Sequence, residues 1–281
     1  MRANENRARF LAARVSSLLD DIEYETVRTE ESREAVYRLR YECYLAEGAI
    51  MANERGQFSD HFDEQSNGFL FAIRYRGKLI SSIRLHIATP NYPNTPSVPA
   101  FADVLSAITE RGETFVDPTR FVVDGRVRAA TALMPYATLR LAAMAADHFD
   151  TDHIIATARL EHMPFYSRIF RLEPRTQPRD YLGLVKPLSL MSNDTETIRD
   201  QVYGRYPIFS SDPEEREALF GMSRSTDFLN LQATRANDNN GREFRRYPFP
   251  LPQTDNEQDG VKAHSNRTEL GELRDEPGAF T

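Results

Sequence analysis

The chain has 281 residues, a formal charge of −7, one cysteine, no tryptophan, and 40% hydrophobic against 27% charged residues, near the averages of globular proteins. The acidic balance argues against a general nucleic-acid binder with a basic footprint, and no run approaches the ~20 apolar residues of a membrane-spanning helix. Cys43 alone cannot close an internal disulfide, which fits a reducing, cytoplasmic setting.

Residues 1–22 do not read as a signal peptide, because Arg14 and Ser16 interrupt the apolar stretch and no small-residue cleavage site follows. Phe10, Leu11, Val15, Leu18, Leu19 and Ile22 recur near helical spacing, opposite Arg7, Arg9 and Arg14. The stripe predicts an amphipathic helix that caps the domain, with a basic helix lying on an anionic membrane surface as the alternative. Tyr24–Val27 is a short strand candidate. Thr29, followed by Glu30 and Glu31, is an N-cap with acids in the first turn and opens a helix that runs to Glu47, where Gly48 stops it. Val36, Arg40, Cys43 and Glu47 share one face of that helix, so Arg40 sits on an otherwise apolar stripe and requires an acidic partner. Cys43 itself reads as a small core hydrophobe.

Phe69–Tyr75 and Leu79–Ile87, joined through Arg76 and Gly77, carry the signature of a tight hairpin. In the second strand Leu79, Ser81, Ile83, Leu85 and Ile87 fall on one face, and Ser82, Arg84 and His86 on the other. After a proline-punctuated loop, FADVLSAI reads as a short helix, and Thr114–Val123 as a strand whose Pro118 implies a bulge or an edge. Ala130–Phe149 is alanine- and leucine-rich and helical, His153–Ala158 a short buried strand, Met163–Phe170 a helix and Tyr181–Val185 a strand. Strand hairpins followed by β-α-β units indicate an α/β fold, a mixed twisted sheet with helices on both faces. Asp212-Pro213-Glu214-Glu215 opens a helix to Phe228, within a helical extension over 193–230. Residues 231–281 change to a polar composition without periodicity and read as a disordered tail, in which FRRYPFPL at 244–251 is a candidate docking segment.

The chain contains no G-x-S-x-G, P-loop or dinucleotide fingerprint, and no Cys or His pair at metal spacing, so no metal site is expected. What remains is a set of charges on structured elements: Arg40 and Tyr44 four residues on, Asp60-His-Phe-Asp63, Arg84-Leu85, and Asp117-Pro-Thr-Arg120-Phe121. Their order resembles the acyl-homoserine-lactone synthases and the related N-acyl amino acid synthases, which share an Arg and aromatic, D-x-x-D, Arg-Leu in a strand, and E-x-x-R-F. Phe58-Ser-Asp-His-Phe-Asp-Glu64, Ser81-Ser-Ile-Arg-Leu85 and His162-Met-Pro-Phe-Tyr-Ser-Arg-Ile-Phe170 resemble the N-acyl amino acid synthase branch in particular. The resemblance spans Tyr24 to Ser192 and implies the GNAT-type N-acyltransferase fold over a 23–192 domain. This chain departs from the pattern in having Asp117 in place of Glu, in lacking the tryptophan of the lactone synthases, and in having Gly125-Arg-Val-Arg-Ala-Ala-Thr131 where a coenzyme-A loop would be glycine-rich.

The resemblance implies transfer of a fatty acyl group from an acyl-carrier-protein thioester to the α-amine of an amino acid, with no tightly bound cofactor. Asp117 is then the candidate base, backbone N–H groups around Phe121 and Val122 the candidate oxyanion donors, and Tyr166 a candidate acid. Arg84 and Arg120 are candidates for the acceptor carboxylate, and Arg40 with Tyr44, Asp60 and Asp63 for a supporting network. Arg126, Arg128 and Arg140 are candidates for steering an acidic carrier protein. Ile73, Ile83, Phe121, Val123 and Ile155 are candidates for lining an acyl tunnel. Three readings stay open beside it: homoserine-lactone synthesis from S-adenosylmethionine, coenzyme-A-dependent acyl transfer to another amine, and a non-catalytic acyl-binding module. Peripheral membrane contact is compatible with each.

Overall fold

The computed structural model describes residues 13–127 and 132–221. Residues 13–19 are helical, and Val15 and Leu18 bury in the largest apolar cluster, as a capping stripe requires; Arg7, Arg9, Phe10 and Leu11 lie outside the described residues. β1 (Ile22–Thr26) precedes α1 (Glu30–Ala46), whose N-cap Thr29 accepts a hydrogen bond from the Ser32 N–H at 3.2 Å. The hairpin joins β2 (Gly68–Tyr75) to β3 (Lys78–Ala88) through Arg76 at φ +51 and Gly77 at φ +78, the two positive dihedrals that match the twist of paired strands. Then follow α2 (Val98–Glu110), β4 (Phe115–Val123), α3 (Met134–His148), β5 (His153–Ala158), α4 (Met163–Phe170), β6 (Glu173–Pro174), β7 (Ser189–Asp194), α5 (Thr195–Ile198) and α6 (Pro213–Phe220).

The strands form one seven-stranded sheet in the order β1-β2-β3-β4-β5-β7-β6, a mixed sheet in which only β4 and β5 run parallel among the described strands. One face carries Phe69, Phe71, Ile73, Ile83, Leu85, Ile87, Val116 and Val123 into a core with α3, α4 and the segment after β7. The opposite face packs under α1 through Leu70, Ala72 and Val122, and under α2 through Phe115, Ile155 and Leu190. Helices therefore cover both faces. β3 is consequently buried on both sides, and its polar row Ser82, Arg84 and His86 is as buried as its aliphatic row.

Three expectations require correction. Tyr181–Val185 is not a strand: Gly183 at φ +79 turns the chain and the Leu184 N–H bonds the Tyr181 carbonyl, while the strand that pairs with β5 lies further on at Ser189–Asp194. Pro118 marks neither an edge nor the bulge itself. It pairs with Leu85 in the middle of the sheet, just past the last β4–β5 pair, so its missing N–H deprives no neighbouring strand. The bulge comes two residues later: Ser82 pairs with Val122 but Arg84 with Thr119, which leaves one extra residue on β4 and puts Arg120 at φ +54. α3 begins at Met134, later than Ala130, and α6 covers the start of the helix expected from Asp212. Its remainder to Phe228, the 231–281 tail and the 244–251 segment lie outside the described residues.

Candidate active site

β4 and β5 pair only at Phe115 with His153 and at Val116 with Ile154; beyond that point the two strands diverge. A cavity fills the opening, and its walls come from both faces of the sheet: Pro118 to Phe121 and Ile154 to Ala158 from the strands, Arg159 just after them, Leu139, Ala142 and Ala143 from α3, and Phe170 and Leu172 from the end of α4 onward. Tyr181, Leu184 and Leu188 close the side under α2, and Tyr44 the side under α1. The space between protein atoms amounts to about 1090 Å³ with the open mouth included. Alanines at 142 and 143, where α3 crosses the divergence, leave room that larger side chains would fill.

The mouth is charged. Glu47, at the end of α1, pairs with Arg159 after β5 at 3.0 Å, and the Lys186 ammonium reaches the Glu47 carbonyl at 3.4 Å. Burial pushes the Glu47 carboxyl above its ordinary range, against the pull of Arg159. His162 and Tyr166 complete the wall on this side, and burial moves the first ring's pKa down and the phenol's up. The exposed large apolar side chains among the described residues are Leu45, Met51, Leu160, Leu182 and Val185. Each is within two positions of a residue that lines the cavity.

Behind the cavity stands an ion network. Asp60 caps a 3₁₀ turn over His61–Glu64 by accepting from the Phe62 N–H, and the Asp60 N–H in turn donates to the Asp63 carboxylate. The turn thereby presents both carboxylates to β3. Arg84 binds Asp60 through both terminal nitrogens at 2.6 and 3.2 Å and Asp63 at 3.0 Å. Arg40 holds Asp63 at 2.8 Å, and Arg120 holds Asp60 at 2.7 and 3.1 Å while its Nη2 also bonds the Leu182 carbonyl. Phe58 stacks under Arg120 with the guanidinium carbon 4.6 Å from the ring centre, and packs edge-on against Tyr44. Three guanidiniums thus meet two carboxylates, a surplus of positive charge with Arg40, Arg84 and Arg120 all at least 94% buried. Burial pushes the Asp60 and Asp63 pKa values up, but Arg84, Arg120 and Arg40 outweigh it and hold both carboxyls below the usual range.

Of the candidate site residues, Arg120, Phe121, Tyr44 and Tyr166 line the cavity; Val122 does not, and packs with Leu39 and Cys43 on the α1 side. Ile155 and Phe121 are on the cavity wall, whereas Ile73, Ile83 and Val123 belong to the core. Arg84 is consumed by the two aspartates. Asp117 is fully buried and off the wall, with Ser97 donating to it from its N–H at 3.0 Å and its hydroxyl at 2.7 Å. Arg140 is no surface charge: it is buried on α3 and bonds the Ile208 and Ser210 carbonyls and Glu215. Arg126 is 70% exposed and pairs with Asp124 and Glu42, and Arg128 lies outside the described residues. Cys43 is buried, and its thiol is pushed up to about 12 by burial. Glu47, Arg159, Tyr181 and Lys186 line the cavity although the sequence did not single them out; only Glu47, on the Arg40 face of α1, carried a periodic signal.

The family described as N-acyl amino acid synthase FeeM matches residues 35–194, more than half of the chain. No curated protein sequence matches. Among solved structures, FeeM, an N-acyl amino acid synthase from uncultured soil microbes, superposes with a TM-score of 0.53 at 16% identity, covering 66% of this chain and 96% of that one. BjaI, a CoA-dependent acyl-homoserine lactone synthase solved with SAM and isopentyl-CoA, gives 0.48 at 14% identity over 76% and 98%. An N-acetyltransferase from Lactobacillus plantarum gives 0.43 at 16% over 62% and 98%. The mixed sheet that opens between β4 and β5 is a GNAT-like acyltransferase fold, and the chain belongs to the FeeM family of N-acyl amino acid synthases as an N-acyltransferase.

Proposed function

We propose that this enzyme moves a fatty acyl group from the thioester of an acyl carrier protein to the α-amine of an amino acid, in the cytoplasm. One observation carries the reading: an apolar cavity crosses the sheet at its opening and ends in a charged mouth. The apolar walls given by Leu139, Ala142, Phe170 and Leu172 suit an acyl chain, and the exposed apolar side chains from Leu45 to Val185, each near a lining residue in sequence, suit its delivery from a lipid-bearing partner. Each methylene moved out of water contributes about 0.8 kcal/mol.

The reaction forms a C–N bond and breaks a C–S bond. The acceptor amine, once neutral, attacks the thioester carbonyl, and negative charge gathers on the carbonyl oxygen. The Asp124 N–H bonds the Ile80 carbonyl, so by the alternation of an antiparallel ladder the Val122 N–H also faces β3. The Phe121 N–H, inside the bulge and on the cavity side, is then the better oxyanion donor of the two. Tyr166, on the cavity wall, is the candidate acid for the departing thiolate. Arg120, the network's one guanidinium on the cavity wall, is the cation for the acceptor carboxylate, with Arg84, Arg40, Asp60, Asp63 and Tyr44 holding it in place. Arg126 and Arg128, before α3, are the candidate contacts for an acidic carrier.

The test is incubation with a panel of acyl-carrier-protein and coenzyme-A thioesters and amino acids, with and without S-adenosylmethionine, read by mass spectrometry. N-acyl amino acids formed preferentially from carrier-bound donors are expected. Acyl-homoserine lactones would replace this reading with the lactone-synthase one, and no acylated amine from any donor would overturn it.

A further inference from the structure

Asp117 is a buried carboxylate with no ion pair among the described residues, in contrast to Asp60 and Asp63, which are tied to three arginines. It is also off the cavity wall, so a role in proton transfer requires a connection. Such a connection exists. Ser97 stands at the N-cap position of α2 but its side chain makes no capping bond; the hydroxyl instead donates to Asp117 Oδ1 at 2.7 Å. Because that donation uses the only hydroxyl proton of Ser97, the 3.3 Å contact between Ser97 Oγ and Tyr181 Oη has Tyr181 as donor. Tyr181 is the member of this chain that lines the cavity.

We infer that Tyr181, Ser97 and Asp117 form a proton relay by which the acceptor's ammonium group is deprotonated from within the cavity. This rests on the acyl-transfer reading above and names the catalytic residue that reading lacks. An N–H proton of the ammonium passes to the Tyr181 oxygen as the Tyr181 proton passes to Ser97 Oγ and the Ser97 proton to Asp117. The ammonium becomes an amine and the carboxylate a carboxylic acid, while tyrosine and serine end as they began. After the amine attacks, its second proton leaves with the thiolate, and Asp117 returns its proton to water along the same chain when product leaves. Tyr181 is the catalytic residue; Ser97 and Asp117 act through it.

The surrounding charges fit this direction. Burial and the nearby Asp117 charge hold the Tyr181 phenol protonated, above its ordinary range and against the pull of Arg120 on β4 and Arg84 on β3, and His86, paired opposite Asp117 in the sheet, is kept neutral by burial at a pKa of about 3. Burial raises the Asp117 pKa against the hydrogen bonds from Ser97, which makes it a better proton acceptor than an exposed aspartate.

The experiment compares wild type, Tyr181→Phe and Ser97→Ala with a dodecanoyl-carrier-protein thioester and two kinds of acceptor: amino acids, whose amine is protonated at neutral pH, and hydroxylamine, whose amine is not. Loss of about 100-fold or more in kcat for amino acids is expected near neutral pH, shrinking as pH rises, with a much smaller loss for hydroxylamine. Wild-type pH profiles in both variants would overturn the relay while leaving acyl transfer intact. Equal loss with both acceptors would assign a structural role and overturn it too. A wild-type enzyme that acylates no amine would overturn the functional reading and the relay together.

Discussion

Arg84 shows how strongly a single buried charge constrains its surroundings. It is 1% exposed, and taking a guanidinium out of water costs several kcal/mol unless its partners are fixed beforehand. The 3₁₀ turn fixes them, since within it the Asp60 and Asp63 carboxylates each accept a bond from the other's backbone N–H. Removing one member therefore leaves uncompensated buried charge: Arg84→Ala is expected to cost roughly 3–5 kcal/mol, measured by urea denaturation, so its inactivity would not by itself assign a chemical role. Asp60→Asn should cost a similar amount near neutral pH and progressively less in acid. The sign follows from the folded pKa values of Asp60 and Asp63, which lie below the unfolded value of about 4. Their stabilisation is full above that value and is lost as pH falls through the folded one. Asp117 has the opposite sign: its pKa is raised, so stability is lost as pH climbs from about 4 through the folded value. Denaturant midpoints of Asp60→Asn and Asp117→Asn across acid pH should accordingly converge on wild type from opposite directions.

The divergence of β4 from β5 is what turns a sheet into a site. Two parallel pairs hold the strands at one end, a bulge at Arg120 re-aims the other, and α3 crosses the gap with alanines. Most of this frame was legible: the hairpin from Arg76-Gly77, the α1 start from Thr29, and β5 and α4 from apolar runs that end at their observed residues. The alternation in β3 also set Ser82, Arg84 and His86 on one face, and the Arg40 stripe required an acidic partner, which is Asp63. What escaped has physical causes. A bulge is defined by pairing with another strand, so Pro118 could signal irregularity nearby but not its place. Leu182 to Val185 has strand-like residues, yet Gly183 at φ +79 packs 3.3 Å from Phe58 by its would-be Cβ, a tertiary fact that local propensity does not hold. Arg140 resembled a solvated helix charge because its partners lie 68 to 75 residues away. The alanines of α3 carry their own prediction. Ala143→Phe should shorten the acyl chains accepted, with roughly fourfold lower turnover for each methylene excluded, while leaving the thermal midpoint near wild type; an unchanged product distribution by mass spectrometry would separate the acyl chain from this part of the cavity.

On the scale of the molecule, the segment after β7 covers the sheet face that the seven strands leave apolar. Phe220 is fully buried with its ring 5.4 to 5.7 Å from Phe69, Phe71 and Phe149, and stands against His148 as well. The Leu219 carbonyl accepts from Thr26 on the edge strand β1, and Arg140 clamps Ile208, Ser210 and Glu215 to α3. Tyr203 and Arg199 both bond Asp147 near the end of the same helix. α3 is thus held on one side by the sheet and on the other by this segment, and the same helix forms a wall of the cavity. Phe220 does not line that cavity, whereas Leu139, Ala142 and Ala143 do. Stability and chemistry are therefore separable here. Phe220→Ala should cost about 3–5 kcal/mol and lower the thermal midpoint by about 10 °C, yet at temperatures where the variant stays folded its acyl-transfer rate should match wild type. A variant that kept its midpoint would show that the aromatic cluster contributes little to the fold. One that kept its midpoint difference but lost activity at low temperature would show that α3 depends on this segment for its position over the open sheet.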